Sequence, residues 1–267
     1  MDDGKQDSEE FNFNGAFVKN PHKITARKSI LICGITRGGT SFAASVFARV
    51  GVPFSRKSER AIGRRYEHRD LRNALLNKDG ESLKKIATSF SEEYPVWAWK
   101  LPAIQRQLDL AASNIPNPHF VIILKEPLSV AARKNDIKGK ETLSSLQQVM
   151  TVYQHLAALA LKMEFPLFMI SYDRAMSDLP AFLPEVAKFA GVGPFDMDAA
   201  IAGIREDGQR YFETPGQRRD EATVGARVKP KAQSQLKVQR RAKAEAAKEK
   251  KQAKQSQTKS PKDFAFL

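Results

Sequence analysis

Three observations predict a three-layer α/β/α domain built on a central parallel sheet. Short β-prone runs occur at residues 29–33, 96–99, 120–124 and 167–170. They are apolar on both faces, the pattern of strands covered on both sides. Helical patterns separate them at 40–50, 71–76, 82–90, 103–112, 129–135 and 141–163, and a further one at 181–190 is closed by Gly191. Buried strands alternating with helices give parallel pairs joined by right-handed crossovers. No internal repeat interrupts this order.

The chain of 267 residues, 42% hydrophobic, is long enough for one α/β domain with a sizeable core or for two small domains. Its one cysteine, Cys33, excludes an internal disulfide and fits a reducing compartment. The opening MDDGKQDSEE is acidic and polar, unlike a secretory leader. The longest apolar stretch, 156–170, is broken by Lys162, Glu164 and Pro166 and is too short and too charged to span a bilayer. A soluble, cytoplasmic protein is expected.

Charge divides the chain. Residues 227–262 hold 13 Lys or Arg against Glu245 and Glu249, so they carry +11 of the total +14. The expected organisation is a flexible acidic N-terminus (1–26), a nearly neutral core (27–226) and a basic tail (227–267) that is partly helical or disordered. Such a tail is either a solvated extension or a non-specific tether to an anionic surface, nucleic acid or membrane lipid.

The first strand runs into GITRGGTS, residues 34–41. Gly34 and Gly39 have the spacing of an ATP- or GTP-binding phosphate loop, and Ser41 is in register with its Ser/Thr. Thr40 stands where that loop has lysine. The glycines still let successive N–H groups turn inward, and the helix N-terminus adds its positive dipole. Thr40 and Ser41 bring hydroxyls, and the cation has moved to Arg37, whose planar fork suits an oxyanion. A metal-holding acid is missing from the strand ends: 120–124 ends in Lys125, and 167–170 passes Ser171 and Tyr172 before Asp173. The loop is therefore expected to hold phosphate through Arg37, Gly38, Gly39, Thr40 and Ser41, with no metal required.

The loop and four further stretches resemble the sulfotransferase family, whose donor is 3′-phosphoadenosine 5′-phosphosulfate. RRYEHRDLRNALL (64–76) is similar to the family's Phe-Glu-x-x-x-Leu segment, and WAWKLP (97–102) to its Trp-x-Trp-Lys-x-Pro. HFVIILKEPLSVAARKN (119–135) resembles the strand–helix that binds the donor's 3′-phosphate. FPLFMISYDRAMSDLPAFLPEVAKFAGV (165–192) resembles the last core strand and helix. The series covers residues 28–192 in order and is similar to the bacterial and carbohydrate-type members. It implies a phosphate-loop fold of the nucleoside-triphosphate-hydrolase type.

Three positions depart from that pattern. Lys125-Glu126-Pro127 replaces Arg-Asp-Pro, which keeps a charge and loses a bidentate fork. Arg133 replaces the serine eight residues later, and Leu101 replaces an acid. By the resemblance Lys125 would face the 3′-phosphate, and Arg133 would either restore a phosphate contact or crowd the pocket.

The chemistry implied is in-line transfer of a sulfuryl group from the donor to an acceptor hydroxyl, a carbohydrate's among the candidates. The protein's part is positioning and charge stabilisation. Arg37 and the loop amides would stabilise the leaving oxygen, and Lys100 would be a second cation, unless it is a surface lysine beyond Trp99. Glu67 or His68 would be the general base, Glu67 matching the motif. Glu67 could instead pair with one of Arg60, Arg64, Arg65 and Arg69, arginines that could also receive an acidic or sugar-rich acceptor. Two alternatives stay open: another phosphate-loop kinase or NTPase, and a catalytically degenerate binding protein that works through its basic tail.

Overall fold

A computed structural model describes residues 14–54, 66–138 and 141–212. Its five strands, β1 (Ala16–Lys19), β2 (Lys28–Gly34), β3 (Val96–Lys100), β4 (Pro118–Leu124) and β5 (Leu167–Ser171), form one sheet in the order β1-β5-β4-β2-β3. β2 runs parallel to β3 on one side and β4 on the other, β4 is parallel to β5, and β1 pairs antiparallel at the edge. The chain leaves β2 toward β3 and returns to the opposite side as β4. The carboxyl ends of β2 and β4 thus flank a topological switch point, where open α/β sheets hold their ligands.

The helices among the described residues are α1 (Thr40–Arg49), α2 (Arg69–Leu76), α3 (Gly80–Glu93), α4 (Leu108–Asn114), α5 (Pro127–Lys138), α6 (Thr142–Lys162), α7 (Tyr172–Ser177), α8 (Leu179–Ala190) and α9 (Met197–Phe212). Alternation along the strands sorts them into two layers. Ile30, Ile32, Val121, Ile123, Phe168 and Ile170 face α1, α8 and α9, while Leu31, Cys33, Trp97, Trp99, Phe120 and Ile122 face α2, α3, α4 and α6. The first layer is knit by aromatic rings, with Phe168 and Phe189 at 4.9 Å and Phe47 edge-on to both. Each fully buried ring of this kind contributes about 2–3 kcal/mol by area removed from water. The three-layer architecture and the four parallel strands match the expectation.

Three local differences have physical reasons. β1 lies within the segment expected to be flexible, so the ordered fold begins before residue 27. Four residues are too few to show a period, and their order comes from the tertiary setting. Ala16 pairs with Ile170 in register. Lys19 Nζ donates to the carbonyls of Ala160 and Leu161 at the end of α6, and Asn20 Nδ2 to those of Met163 and Phe165. The helix expected over 103–112 is divided into a 3₁₀ turn, Pro102–Gln107, and α4, because Gln107 takes an extended φ of −140° between them. The helix expected at 129–135 starts earlier, at Pro127, because proline suits a first turn and Glu126 accepts hydrogen bonds from the N–H groups of Leu128 and Ser129. The chain divides into units 1–212 and 213–267. The expected boundary at 226 and the basic tail lie outside the described residues.

Candidate functional site

β2 delivers the chain to the switch point at Gly34, and residues 35–39 turn it into α1. Gly38 N–H donates to Ile35 O at 2.9 Å, and a Cβ at Gly38 would meet the Ile35 side chain at 2.2 Å. Gly39 caps α1 in the left-handed region at φ 95°, and a Cβ there would press on the Tyr172 ring at 2.8 Å. Both glycines are therefore needed for the turn itself. Arg37, which has a Cβ, also sits left-handed, at φ 73°, a conformation that costs about 1–2 kcal/mol for an L residue. Its side chain is exposed. α1 begins without a side-chain cap and without an acid in its first turn. The N–H groups of Thr40, Ser41 and Phe42 thus have no intrahelical acceptor. Thr40 is buried and Ser41 half-buried. An oxyanion fits this donor set: uncapped amides, two hydroxyls and a guanidinium on the loop.

The loop walls a cavity of about 390 Å³, completed by the 3₁₀ turn after β3, Lys134 of α5, and Gln148 and Val152 of α6. Arg37, Arg106 and Lys134 line it, and among the described residues no carboxylate does. Gln105, 7% exposed, donates through Nε2 to Gly34 O at 3.1 Å. Its Oε1 is buried with no hydrogen-bond partner among the described residues, so the cavity wall keeps an acceptor in reserve for a donor group.

At the end of β3, Lys100 pairs in register with Ile32, two residues before Gly34. It is 5% exposed, so it is not a surface lysine. Its Nζ donates to Glu67 Oε1 at 2.8 Å. A backbone bond from Lys100 N–H to Tyr66 O ties the same two segments together. The two sequence candidates, the base and the second cation, are thus one buried pair. His68 is a different case. Its Nδ1 accepts the N–H of Leu71 at 3.3 Å as the cap of α2, and its ring packs edge-on against Phe90. His68 thus serves as the N-cap of α2 through Nδ1.

At the end of β4, Lys125 lies with Nζ 4.3 Å from the centre of the Tyr172 ring, a cation–π distance. Burial lowers the Lys125 ammonium from its ordinary range. The positive charge of Arg133 acts in the same direction, and Asp173 opposes it. Lys125 thus feels the charge of Arg133 on α5. Tyr153 Oη clasps the Lys125 backbone, accepting from its N–H at 3.0 Å and donating to its carbonyl at 2.6 Å. Asp173 Oδ2 accepts from Glu126 N–H at 3.0 Å. Tyr172 joins the two parts, since its ring touches Gly39 of the loop, Phe42 of α1 and the Lys125 ammonium.

Sequence reasoning did not single out Tyr172, Tyr153, Gln105 or Arg106. The available signal was position: Tyr172 directly follows a buried strand, where α/β sheets carry their sites.

Solved structures similar to this chain include sulfotransferases. One is the sulfotransferase domain of the Synechococcus PCC 7002 olefin synthase, at 13% identity and TM-score 0.47 over 69% of this chain and 80% of that one. Another is mouse sulfotransferase SULT7A1 complexed with PAP, at 10% identity and TM-score 0.44 over 75% and 83%. The likeness is one of fold. A shikimate kinase from Bacteroides thetaiotaomicron is also similar, at 11% identity and TM-score 0.36 over 61% and 95%. No family model matches the sequence, and no curated protein does.

Proposed function

We propose that this protein is a sulfotransferase that moves a sulfuryl group from 3′-phosphoadenosine 5′-phosphosulfate to an acceptor hydroxyl. The observation that carries the reading is the buried Glu67–Lys100 pair on the strand beside an arginine-bearing phosphate loop. It supplies a carboxylate to take a proton and an ammonium to hold the carboxylate in place. The residues that would hold the donor are the loop amides, Arg37, Thr40 and Ser41 at the 5′ side, and Lys125 and Arg133 at the 3′-phosphate.

Bound there, the donor supplies an activated sulfuryl group whose S–O bond to the 5′-phosphate breaks as the acceptor oxygen attacks sulfur. Glu67 accepts the acceptor's proton at its carboxylate. Lys100 fixes the orientation of that carboxylate through Oε1, which is the work of positioning. Arg37 and the uncapped amides of α1 meet the charge that builds on the leaving phosphate oxygen. The cavity beside the loop, with its three cations and the unpartnered Gln105 Oε1, suits an acceptor that is hydroxyl-rich and acidic, such as an acidic carbohydrate.

Calorimetric titration with 3′-phosphoadenosine 5′-phosphate against ATP, without added metal, tests the proposal. The bisphosphate is expected to bind and ATP to bind more weakly. Magnesium-dependent ATP binding and hydrolysis with no affinity for the bisphosphate would replace the sulfotransferase reading with a kinase or NTPase one.

A further inference from the structure

The lysine that follows β4 is held at both ends. The last rungs of the sheet there pair Ile123 with Gly34 and Leu124 with Ser171, so Lys125 lies one residue past the ladder. A single hydroxyl takes over from the strands. Tyr153 Oη accepts from Lys125 N–H at 3.0 Å and donates to Lys125 O at 2.6 Å. A phenol does both at once, and phenylalanine can do neither. Asp173 Oδ2 accepts from the next N–H, that of Glu126, and Pro127 has none to offer. At the far end of the side chain, the Lys125 ammonium rests 4.3 Å from the centre of the Tyr172 ring, which packs edge-on against Phe42 of α1 at 5.1 Å. The clasping hydroxyl stands on a fixed base. Val149, one turn before Tyr153 on α6, is fully buried with Ile35 of the loop and Val130 and Ala131 of α5.

We propose that Tyr153 is a positioning residue that holds Lys125 where it reads the donor's 3′-phosphate. This role rests on the proposed function, which gives Lys125 that phosphate. The need for it comes from the residue type. A lysine carries a point charge on a flexible stem and lacks the rigid fork of arginine. Ordering such a side chain on binding costs rotamer freedom, and a seat built beforehand lowers that cost. The Tyr153 clasp fixes where the stem starts, and the Tyr172 ring fixes where it ends. Tyr153 acts on the phosphate through Lys125 alone. Its neighbour Val152 lines the cavity, so α6 serves the acceptor side with one residue and the donor side with the next.

Tyr153→Phe keeps the ring and removes both bonds. Calorimetric binding of 3′-phosphoadenosine 5′-phosphate and of adenosine 5′-monophosphate to the full-length parent and to Tyr153→Phe tests the proposal, with a thermal melt to show that the variant is folded. The variant should bind the bisphosphate about fivefold more weakly, the scale of one hydrogen bond, and bind the monophosphate as the parent does. A purely structural tyrosine would lower the melting temperature and leave the preference for the bisphosphate intact, which overturns the proposal. A further readout needs no nucleotide. After reductive methylation with isotope-labelled formaldehyde, the dimethyl-Lys125 NMR signal, assigned with Lys125→Arg, should lie upfield in the parent because of the Tyr172 ring. In Tyr153→Phe it should move toward the signals of the other lysines. A signal that stays in place in the variant overturns the proposal, as does a parent signal with no ring shift. Equal binding of the two nucleotides by the parent overturns both the donor reading and the role of Tyr153. A parent preference that folded Tyr153→Phe retains overturns only the latter.

Discussion

Lys100 Nζ and Glu67 Oε1 lie 2.8 Å apart, and both side chains are almost wholly buried. A buried pair of this kind gains little net stability, but breaking it strands a charge. Lys100→Met should therefore destabilise the protein by about 3–5 kcal/mol, and Lys100→Met with Glu67→Leu should recover most of that loss. Chemical denaturation of the two single variants and the double variant measures this coupling. Glu67→Gln keeps the shape and removes the base, so it should lower turnover by about 10²–10⁴ and leave donor binding in place. Full turnover in Glu67→Gln would show that the pair is only a strut.

Arg37 separates function from stability. Its left-handed backbone is a strain that glycine would not carry. Arg37→Gly should melt no lower than the parent, and Arg37→Ala slightly lower than Arg37→Gly. Both should lose about 10²–10³ in turnover, the scale of removing one anion-stabilising donor. Thermal melts set beside initial rates check the two effects independently.

The fold was legible because its signals are local and strong. β2, β4 and β5 are continuous apolar runs, and the loop's glycines stand between a strand and a helix. β1 was not legible, since four residues carry no period and depend on Ile170, Lys19 and Asn20 for their place. Glu67, Lys100, Lys125 and Arg133 were singled out from the sequence as residue types at motif positions. Their pairing was not, because the sequence cannot say that a lysine on β3 is buried against the segment before α2. The capping role of His68 was hidden for a similar reason, since histidine is an uncommon N-cap. Tyr172 was missed because its contacts join three elements that are far apart in sequence.

His119 gives a pH dependence unrelated to catalysis. It lies buried at the start of β4, with Nε2 accepting from Thr25 N–H and Nδ1–H donating to Asn117 O. Burial, helped by the charge of Lys28, lowers its pKa from 6.5 to about 4. Between those values the unfolded chain binds a proton that the folded chain refuses. The stability from the neutral ring is present above pH 6.5 and is lost as the pH falls toward about 4. Melting temperatures across this window should fall with pH, and His119→Gln should flatten the slope. An equal slope in parent and variant would assign the acid sensitivity to other groups.

The central claim of the proposed function is that Lys125, just after β4, and Arg133, on α5, read a 3′-phosphate on the donor. A charge-assisted contact is worth about 1.5–3 kcal/mol, roughly one to two decades of affinity. The direct measurement is calorimetric binding of 3′-phosphoadenosine 5′-phosphate and of adenosine 5′-monophosphate to the parent chain, Lys125→Ala and Arg133→Ala. The account predicts at least tenfold tighter binding of the bisphosphate by the parent, by the same estimate. Most of that difference should vanish in Lys125→Ala and part of it in Arg133→Ala. Equal affinity of the parent chain for the two nucleotides would contradict the account and leave the phosphate loop without an assigned donor.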